Sequence, residues 1–372
     1  MKVLIVPDKF KGTLSARKVA SAIAEGWHEA RPLDELDLAP MSDGGDGFGE
    51  LLGEQLGGVI QVCETIDAAG REVSSNWWWI EGTQTAVVEA ALTNGIALLP
   101  PHHFHPFDLD TYGLGAVLKS AKNKGAEQLL IGIGGSATND AGFGLARALG
   151  WGFLDVQGDV IEKWIHLNQL NEVRPSGGEP FFESVMVAVD VKNPLLGEQG
   201  CSRVFGPQKG LLDEEMVTAE AALDRLRKVI REQTGNDASM DEGAGAAGGL
   251  GYGLATFLNG KFESGFDLFA THTRLKQRIA QADLVITAEG SIDASSMMGK
   301  GVFEVATCAD ERGVPCIGIA GRIADRERVE SKFKHLEGIV DSLATVEEAM
   351  AEPESWLKKL AFTLGSKDHF IS

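Results

Sequence analysis

Cationic side chains are in short supply: 34 lysines and arginines face 54 aspartates and glutamates, a formal charge of −20 across 372 residues. A chain with that field has no general affinity for nucleic acid or anionic membrane, because it would approach either polyanion against its own charge. Cysteine is equally sparse. Cys63, Cys201, Cys308 and Cys316 form no C-x-x-C pair and no metal-ligand spacing, which argues against a disulfide framework and fits thiols of a reducing compartment. No apolar run approaches the roughly 20 residues that span a bilayer. The opening MKVLIVPDKF is too poor in apolar residues for a signal-peptide core. The expectation is a soluble, cytoplasmic protein. A G-x-x-x-x-G-K-[ST] loop is also missing, since Gly299-Lys300 has no glycine at the required distance upstream, so P-loop chemistry is excluded.

What the chain has in quantity is glycine, 46 residues gathered in clusters rather than scattered, a pattern that points to sites built from backbone. Hydrophobic residues at 44% and charged residues at 24% match globular usage, so the charge does not signal disorder. At roughly 150 residues per domain, the length suggests two domains.

Val3 to Val6 reads as a strand, followed by a loop and a helix capped by Ser15 that runs through Trp27. Continuous apolar runs recur at Leu129 to Ile133, Val185 to Val189, Leu284 to Thr287, Cys316 to Ile319 and Leu336 to Val340. Runs of that kind mark strands buried on both faces. Helical patterns follow at Thr138 to Leu149, Lys300 to Arg312, and from Thr345. Alternation of strand and helix predicts an α/β protein with a largely parallel sheet. Between residues 58 and 91, three strand-like runs without helices predict antiparallel pairing, and Asp213 to Glu232 predicts a long charged helix.

Four segments carry candidate chemistry. In IGIGGSATNDAGFG (131–144), a strand runs into Gly134-Gly135-Ser136 and a helix is expected to start near Thr138. Unpaired amides of such a turn suit a phosphate or carboxylate, although a plain capped β-to-α turn would look the same. In PMSDGGDGFGELL (40–52), Asp43 and Asp46 flank a Gly-Gly turn. They could hold Mg²⁺ or simply complement a helix dipole. PDKFKGTLSA (7–16) places Asp8, Lys9 and Lys11 at the carboxyl end of the first strand, the edge where open parallel sheets bind ligands. VAVDVKNPLLG (187–197) puts Asp190 after an apolar strand, as a base, a metal ligand or a turn former. FGPQKG adds Lys209, and ADLVITAEGSID adds Glu289 and Asp293.

Other features carry less. His102, His103 and His105 sit in a proline-rich loop without a fourth ligand, and Trp77-Trp78-Trp79 read as alternating burial along a strand. The G-x-G-x-x-G at Gly243, Gly245 and Gly248 follows the polar ASMDE rather than a strand, so it is a weak dinucleotide fingerprint.

PDKFKGTLSA, PMSDGGDG, IGIGGSATNDAGFG, DVKNPLLG, FGPQKG, GAGAAGGLG and ADLVITAEGSID stand together in an order and spacing that resemble the type I glycerate kinase family along essentially the whole chain. The resemblance implies ATP-dependent phosphorylation of D-glycerate, typically at the 2-hydroxyl. It implies two α/β domains: a flavodoxin-like parallel-sheet domain formed by both chain ends (1–75 and 280–372) and an inserted α/β domain with a mixed sheet (76–279). The chain departs from the family's usual pattern at Lys9, usually Ser, and at Ala288, Ser291, Ser295 and Ser296 of the late motif. An altered-substrate or weakly active member therefore stays open, as does, more remotely, an NAD-dependent oxidoreductase.

The expected roles follow from that reading. Gly134, Gly135, Ser136, Ala137, Thr138, Asn139 and Lys209 would bind the ATP phosphates, and Asp43 or Asp190 would hold Mg²⁺. Asp190 would take the substrate proton, with Asp8 and Asp293 as runners-up. Lys11 would steady the transferring phosphoryl group or the substrate carboxylate. Lys9, Ser42, Asp43, Gly44 and Glu289 would contact the substrate. The partners are small molecules, with neither nucleic acid nor membrane; a homo-oligomeric state is left open.

Overall fold

A computed structural model describes residues 1–42, 44–178, 180–293 and 301–367. In chain order its strands are β1 (Lys2–Pro7), β2 (Glu35–Leu38), β3 (Val59–Ile66), β4 (Glu72–Ile80), β5 (Thr85–Glu89), β6 (Gln128–Gly132) and β7 (Gly152–Leu154). They continue with β8 (Glu172–Arg174), β9 (Ser184–Ala188), β10 (Lys261–Glu263), β11 (Leu284–Ile292), β12 (Cys316–Ile323) and β13 (His335–Gly338). The first two helices are α1 (Ala16–Ala30) and α2 (Phe48–Gln55).

The chain divides into two compact units, 1–43 with 266–372, and 44–265. The first holds a five-stranded sheet, ordered β13-β12-β11-β1-β2 and parallel throughout. Counted within the unit this is the flavodoxin-like order 2-1-3-4-5, whose switch point lies between β1 and β11. Val3, Ile5, Ile286, Ile317 and Ile319 face α1 and the helix Pro353–Gly365, as continuous apolar strands require. Ser15 caps α1 by accepting the Lys18 amide, as its sequence predicts. The two helices cross at Gly26, where a Cβ would lie 2.1 Å from the Lys358 carbonyl.

The second unit holds a six-stranded mixed sheet, ordered β10-β9-β6-β5-β4-β3. β5, β6, β9 and β10 are parallel, while β3, β4 and β5 form the expected antiparallel meander. Trp77 and Trp78 are both buried, Trp77 in the core with Leu114 and Val117 and Trp78 against Gly49 and Gly53 of α2.

Both expected domain boundaries move. A cut at residue 75 would run through the β3–β4 ladder, which extends from Val59↔Trp79 to Ile66↔Glu72. At the other end, residues 266–279 belong with the first unit, where Arg278 pairs with Asp37 at 2.7 Å.

Two local expectations also shift. The helix expected from Thr138 starts only at Phe143, because Ala141 (φ 53°) and Gly142 (φ 72°) take left-handed conformations in a non-helical loop. Leu336 to Val340 is a strand only to Gly338, after which the chain turns into a short helix.

Candidate active site

In the first unit the candidates gather at the carboxyl edge of the sheet, beside the switch point. Pro7 pairs with Ala288, and the Asp8 amide donates to the Ala288 carbonyl at 2.8 Å. Asp8 therefore leaves β1 next to Glu289 on β11, with Asp293 just past the end of that strand. Asp8 and Ser42 line one small recess with Met41, Phe266, Phe269 and Gly301. The Asp8 carboxylate accepts the Lys9 amide at 2.6 Å, so it shapes its own turn. Lys9 is half-buried, whereas Lys11 is exposed at the tip of a turn closed by the Phe10–Leu14 bridge. A recess of about 980 Å³ opens at the amino ends of the strands beside Met1, Asp283 and Cys316, away from these side chains.

The second unit is built differently. Glu89, Gly132 and Ala188 stand level on adjacent strands, so the loops after β5, β6 and β9 leave from one edge. The turn after β6 is tied down by its neighbours: Gly134 N donates to Gly44 O, Ala137 N to Asn94 O, and Thr138 N to Ser136 Oγ. The Gly135 carbonyl accepts the Ile96 amide at 2.8 Å. Among the described residues, the amides of Gly135 and Ser136 have no protein acceptor, and Gly135 takes φ 77°. Of the amides from Gly134 to Thr138 that the sequence offered as an anion cradle, these two are the ones without a protein acceptor. A Cβ on Gly135 would meet Asp46 Oδ1 at 2.7 Å, so a carboxylate lies against this turn.

A buried polar floor supports the turn. Asp140 is fully buried and accepts from Thr111 N and Oγ1, Gly142 N and Gly144 N over 2.8–3.2 Å. Burial raises its pKa. Neighbouring Asp110 is raised to about 6, first by burial and then by the Asp140 charge. Asn139 is equally buried, and its side chain donates to Ser202 Oγ at 2.9 Å in the interior. The Lys209 ammonium donates to the Thr138 carbonyl at 2.6 Å, and burial lowers its pKa to about 8. The glycine-rich 243–253 segment packs behind the same loop. Its helix is interrupted at Ala247–Gly249 by three left-handed residues, and a Cβ on Gly248 would sit 1.9 Å from the Thr138 carbonyl. The weak G-x-G-x-x-G follows a turn at Ala238–Met240 and not a strand; its glycines serve close backbone packing.

Asp190 lies two residues beyond β9, exposed, with Oδ1 accepting the Gly265 amide at 3.1 Å. Asp43, the other expected metal ligand, lies outside the described residues, as do Ser295, Ser296 and Lys300. Gly44 packs against Ala188, where its Cβ would meet the Ala188 side chain at 3.1 Å. Among the described residues no group of three or more His, Cys, Asp or Glu side chains is gathered to hold a metal. In the histidine loop, His105 Nε2 pairs with Glu215 at 3.0 Å.

Sequence reasoning passed over Glu89, Asn94, Thr111 and Asp140. Glu89 showed only as a polar end to an apolar strand and Asp140 only as part of a glycine-rich motif, while Asn94 and Thr111 gave neither signal.

Comparison with known proteins agrees with this architecture. A profile of the Glycerate kinase family matches residues 3–366. A glycerate kinase of Halalkalibacterium halodurans is 36% identical over 366 residues, covering 96% of each chain. The glycerate 2-kinase of Escherichia coli (strain K12) is 36% identical over 354 residues, covering 94% of this chain and 93% of its own. A crystal structure assigned to glycerate kinase 2 of Salmonella typhimurium LT2 superposes with a TM-score of 0.85 at 33% identity, covering 98% and 97% of the two chains. A match of that extent, on a flavodoxin-like sheet and a mixed sheet with their glycine turns, means that the chain belongs to the glycerate kinase family and is a kinase.

Proposed function

We propose that this chain transfers the γ-phosphoryl group of ATP to D-glycerate at the 2-hydroxyl, giving 2-phosphoglycerate and ADP. The observation that carries the reading is the pair of amides at Gly135 and Ser136 that have no acceptor among the described residues, held on a buried scaffold at the carboxyl ends of the parallel strands β5, β6 and β9 of the mixed sheet. Phosphoryl transfer asks for positioning and charge neutralisation more than for covalent help. A rigid amide pair supplies both without reorganising. The E. coli relative named a glycerate 2-kinase supports the hydroxyl position.

Asp190 is the proposed base. Its carboxylate takes the proton of the glycerate hydroxyl as that oxygen bonds to the γ-phosphorus and the bond to the ADP oxygen breaks. Asp8 and Asp293 are the runners-up. Lys209 acts on the cradle from below, fixing the Thr138 carbonyl. Lys11 is assigned to charge clamping, and Lys9, Ser42, Asp43, Gly44 and Glu289 to substrate contact.

Magnesium fits the donor set, because a carboxylate beside an anion seat suits a phosphate that arrives with its cation. Asp46, against the Gly135 turn, and Asp190 would hold it, with Asp43 as a further candidate. When bound it would neutralise charge on the phosphate oxygens. The proposed setting is the cytoplasm, with small molecules as partners.

ADP release measured with a panel of hydroxy acids, with the product identified by NMR, tests the reading. Turnover stimulated by D-glycerate and a 2-phosphorylated product are expected; turnover with another hydroxy acid alone would identify an altered-substrate member. Asp190→Asn should lower kcat by roughly 10²–10⁴, the usual contribution of general acid–base catalysis. A wild-type kcat would remove Asp190 from that role.

A further inference from the structure

The N-terminus of α2 carries an acid that comes from far away in sequence. Gly47, at the cap position with φ 87°, has no side chain with which to cap the helix. Instead the carboxylate of Glu89, at the end of β5, straddles the first turn: Oε1 accepts Gly47 N at 3.0 Å and Oε2 accepts Gly49 N at 3.1 Å. Glu89 is only 5% exposed. A buried carboxylate is costly unless its oxygens are bonded, and this one is bonded to amides already polarised by the helix.

Its place in the sheet gives the contact further consequence. Glu89 pairs in register with Gly132, and the next residue, Ala90, donates to the Gly132 carbonyl at 2.9 Å. Onward from there, Asn94 O and Ile96 N hold the 135–137 turn. In the other direction α2 is preceded by 44–46, whose Gly44 carbonyl accepts Gly134 N at 3.1 Å, and Gly45 lies so close that a Cβ on Gly134 would meet its Cα at 2.7 Å. Glu89 therefore stands where the two glycine turns, 44–47 and 134–137, are fixed against one another.

We propose that Glu89 is a positioning residue: it fills the anion place at the start of α2 itself and so sets the register of both turns, leaving Gly135 and Ser136 as the amides open to a ligand anion. The kinetic part rests on the kinase reading above; the structural part does not. A carboxylate in that position also repels a phosphate from the Gly47 and Gly49 amides, so the Gly-Gly turn ahead of α2 is a frame and not an anion seat.

The test uses Glu89→Gln, which keeps the shape but points an amide group at a backbone donor, and Glu89→Ala, which empties the place. Hydrogen exchange at Gly47 and Gly49 should quicken at least about tenfold in Glu89→Gln. kcat/KM for nucleotide should fall about 10–100-fold, since small misplacements are costly in phosphoryl transfer, while KM for glycerate changes less than about threefold. In Glu89→Ala, formate should restore part of the exchange protection and of the turnover, which chloride at equal ionic strength should not; a merely structural loss would not distinguish the two anions. If Glu89→Ala fails to fold, Glu89→Asp takes its place with a partial loss of protection expected. Wild-type exchange and kinetics in Glu89→Gln would overturn the proposal. So would lost turnover with unchanged exchange, which would make Glu89 a direct participant. If the wild-type protein does not phosphorylate glycerate, the kinase reading fails, while the exchange and formate measurements still decide the role of Glu89.

Discussion

The two carboxyl sheet edges in this chain use opposite constructions. The edge of the first unit presents side chains: Asp8, Lys9, Ser42, Glu289 and Asp293 around a flavodoxin-like switch point, with Lys11 exposed beyond them. The edge of the second unit presents backbone: two amides that have no protein acceptor among the described residues, on a turn whose Gly134, Ala137 and Thr138 amides are bonded and whose floor is the buried set Thr111, Asp140, Asn139 and Ser202. In a chain of net charge −20 the difference is instructive. A backbone seat attracts an anion with dipoles that no surface charge can neutralise, whereas exposed lysines are screened by salt within about 10 Å. The backbone construction is stiff and intolerant of change, and the side-chain construction is adjustable.

The strongest way to break the contrast is Gly248→Ala. Its Cβ would lie 1.9 Å from the Thr138 carbonyl at a left-handed position, so the buried floor must shift. A loss on the order of 2–4 kcal/mol in urea unfolding and at least about 100-fold in kcat/KM is expected; a mutant of normal stability and activity would show that the seat is not preformed. Next comes Lys209→Met, which frees the Thr138 carbonyl and should raise the nucleotide KM about tenfold. Its pKa, lowered to about 8, sets the sign. The ammonium is lost as pH rises through 8, so wild-type activity should fall there and the Met variant should not show that limb. Stability moves oppositely: charge is disfavoured in the folded state, so the cost of burying it disappears between pH 8 and the unfolded value near 10.5.

Lys11→Met samples the other edge, where exposure predicts a smaller effect: a rise of about 3–5-fold in the glycerate KM that shrinks in high salt. No change in KM or kcat would end the charge-clamp assignment. The smallest expected effect is on stability alone. Asp110, raised from 3.8 to about 6, favours its protonated form in the fold, so it costs stability progressively as pH climbs from about 4 to 6. Asp110→Asn should remove that slope and gain about 1–2 kcal/mol at pH 7. This is less than the roughly 3 kcal/mol equivalent to the shift, because the Tyr112 amide loses a charged acceptor. A thermal-melt series across that pH range reads it directly.

The sequence showed the first edge more fully than the second, for a physical reason. Strand, cap and loop at residues 2–16 are local signals, and Asp8 and the lysines are visible as charges after an apolar run. Antiparallel pairing at 59–89 was likewise readable from strands with no room for helices between them. The second edge depends on contacts between distant segments. A helix pattern from Thr138 is overridden because buried Asp140 accepts the amides of Gly142 and Gly144 at the start of a helix that begins only at Phe143, and Gly248 leaves no room for any side chain behind the loop before it. Glu89 looked like the last residue of a strand; only the fold brings it 42 and 40 positions back to Gly47 and Gly49. The family resemblance, resting on seven motifs in order, carried what local patterns could not.

The most direct test of the central claim is a crystal structure of this chain with a non-hydrolysable ATP analogue and magnesium. The account predicts a phosphate oxygen within about 3 Å of the Gly135 and Ser136 amides, with the Glu89 carboxylate still on Gly47 and Gly49. Phosphates bound elsewhere, with those two amides facing water, would contradict it.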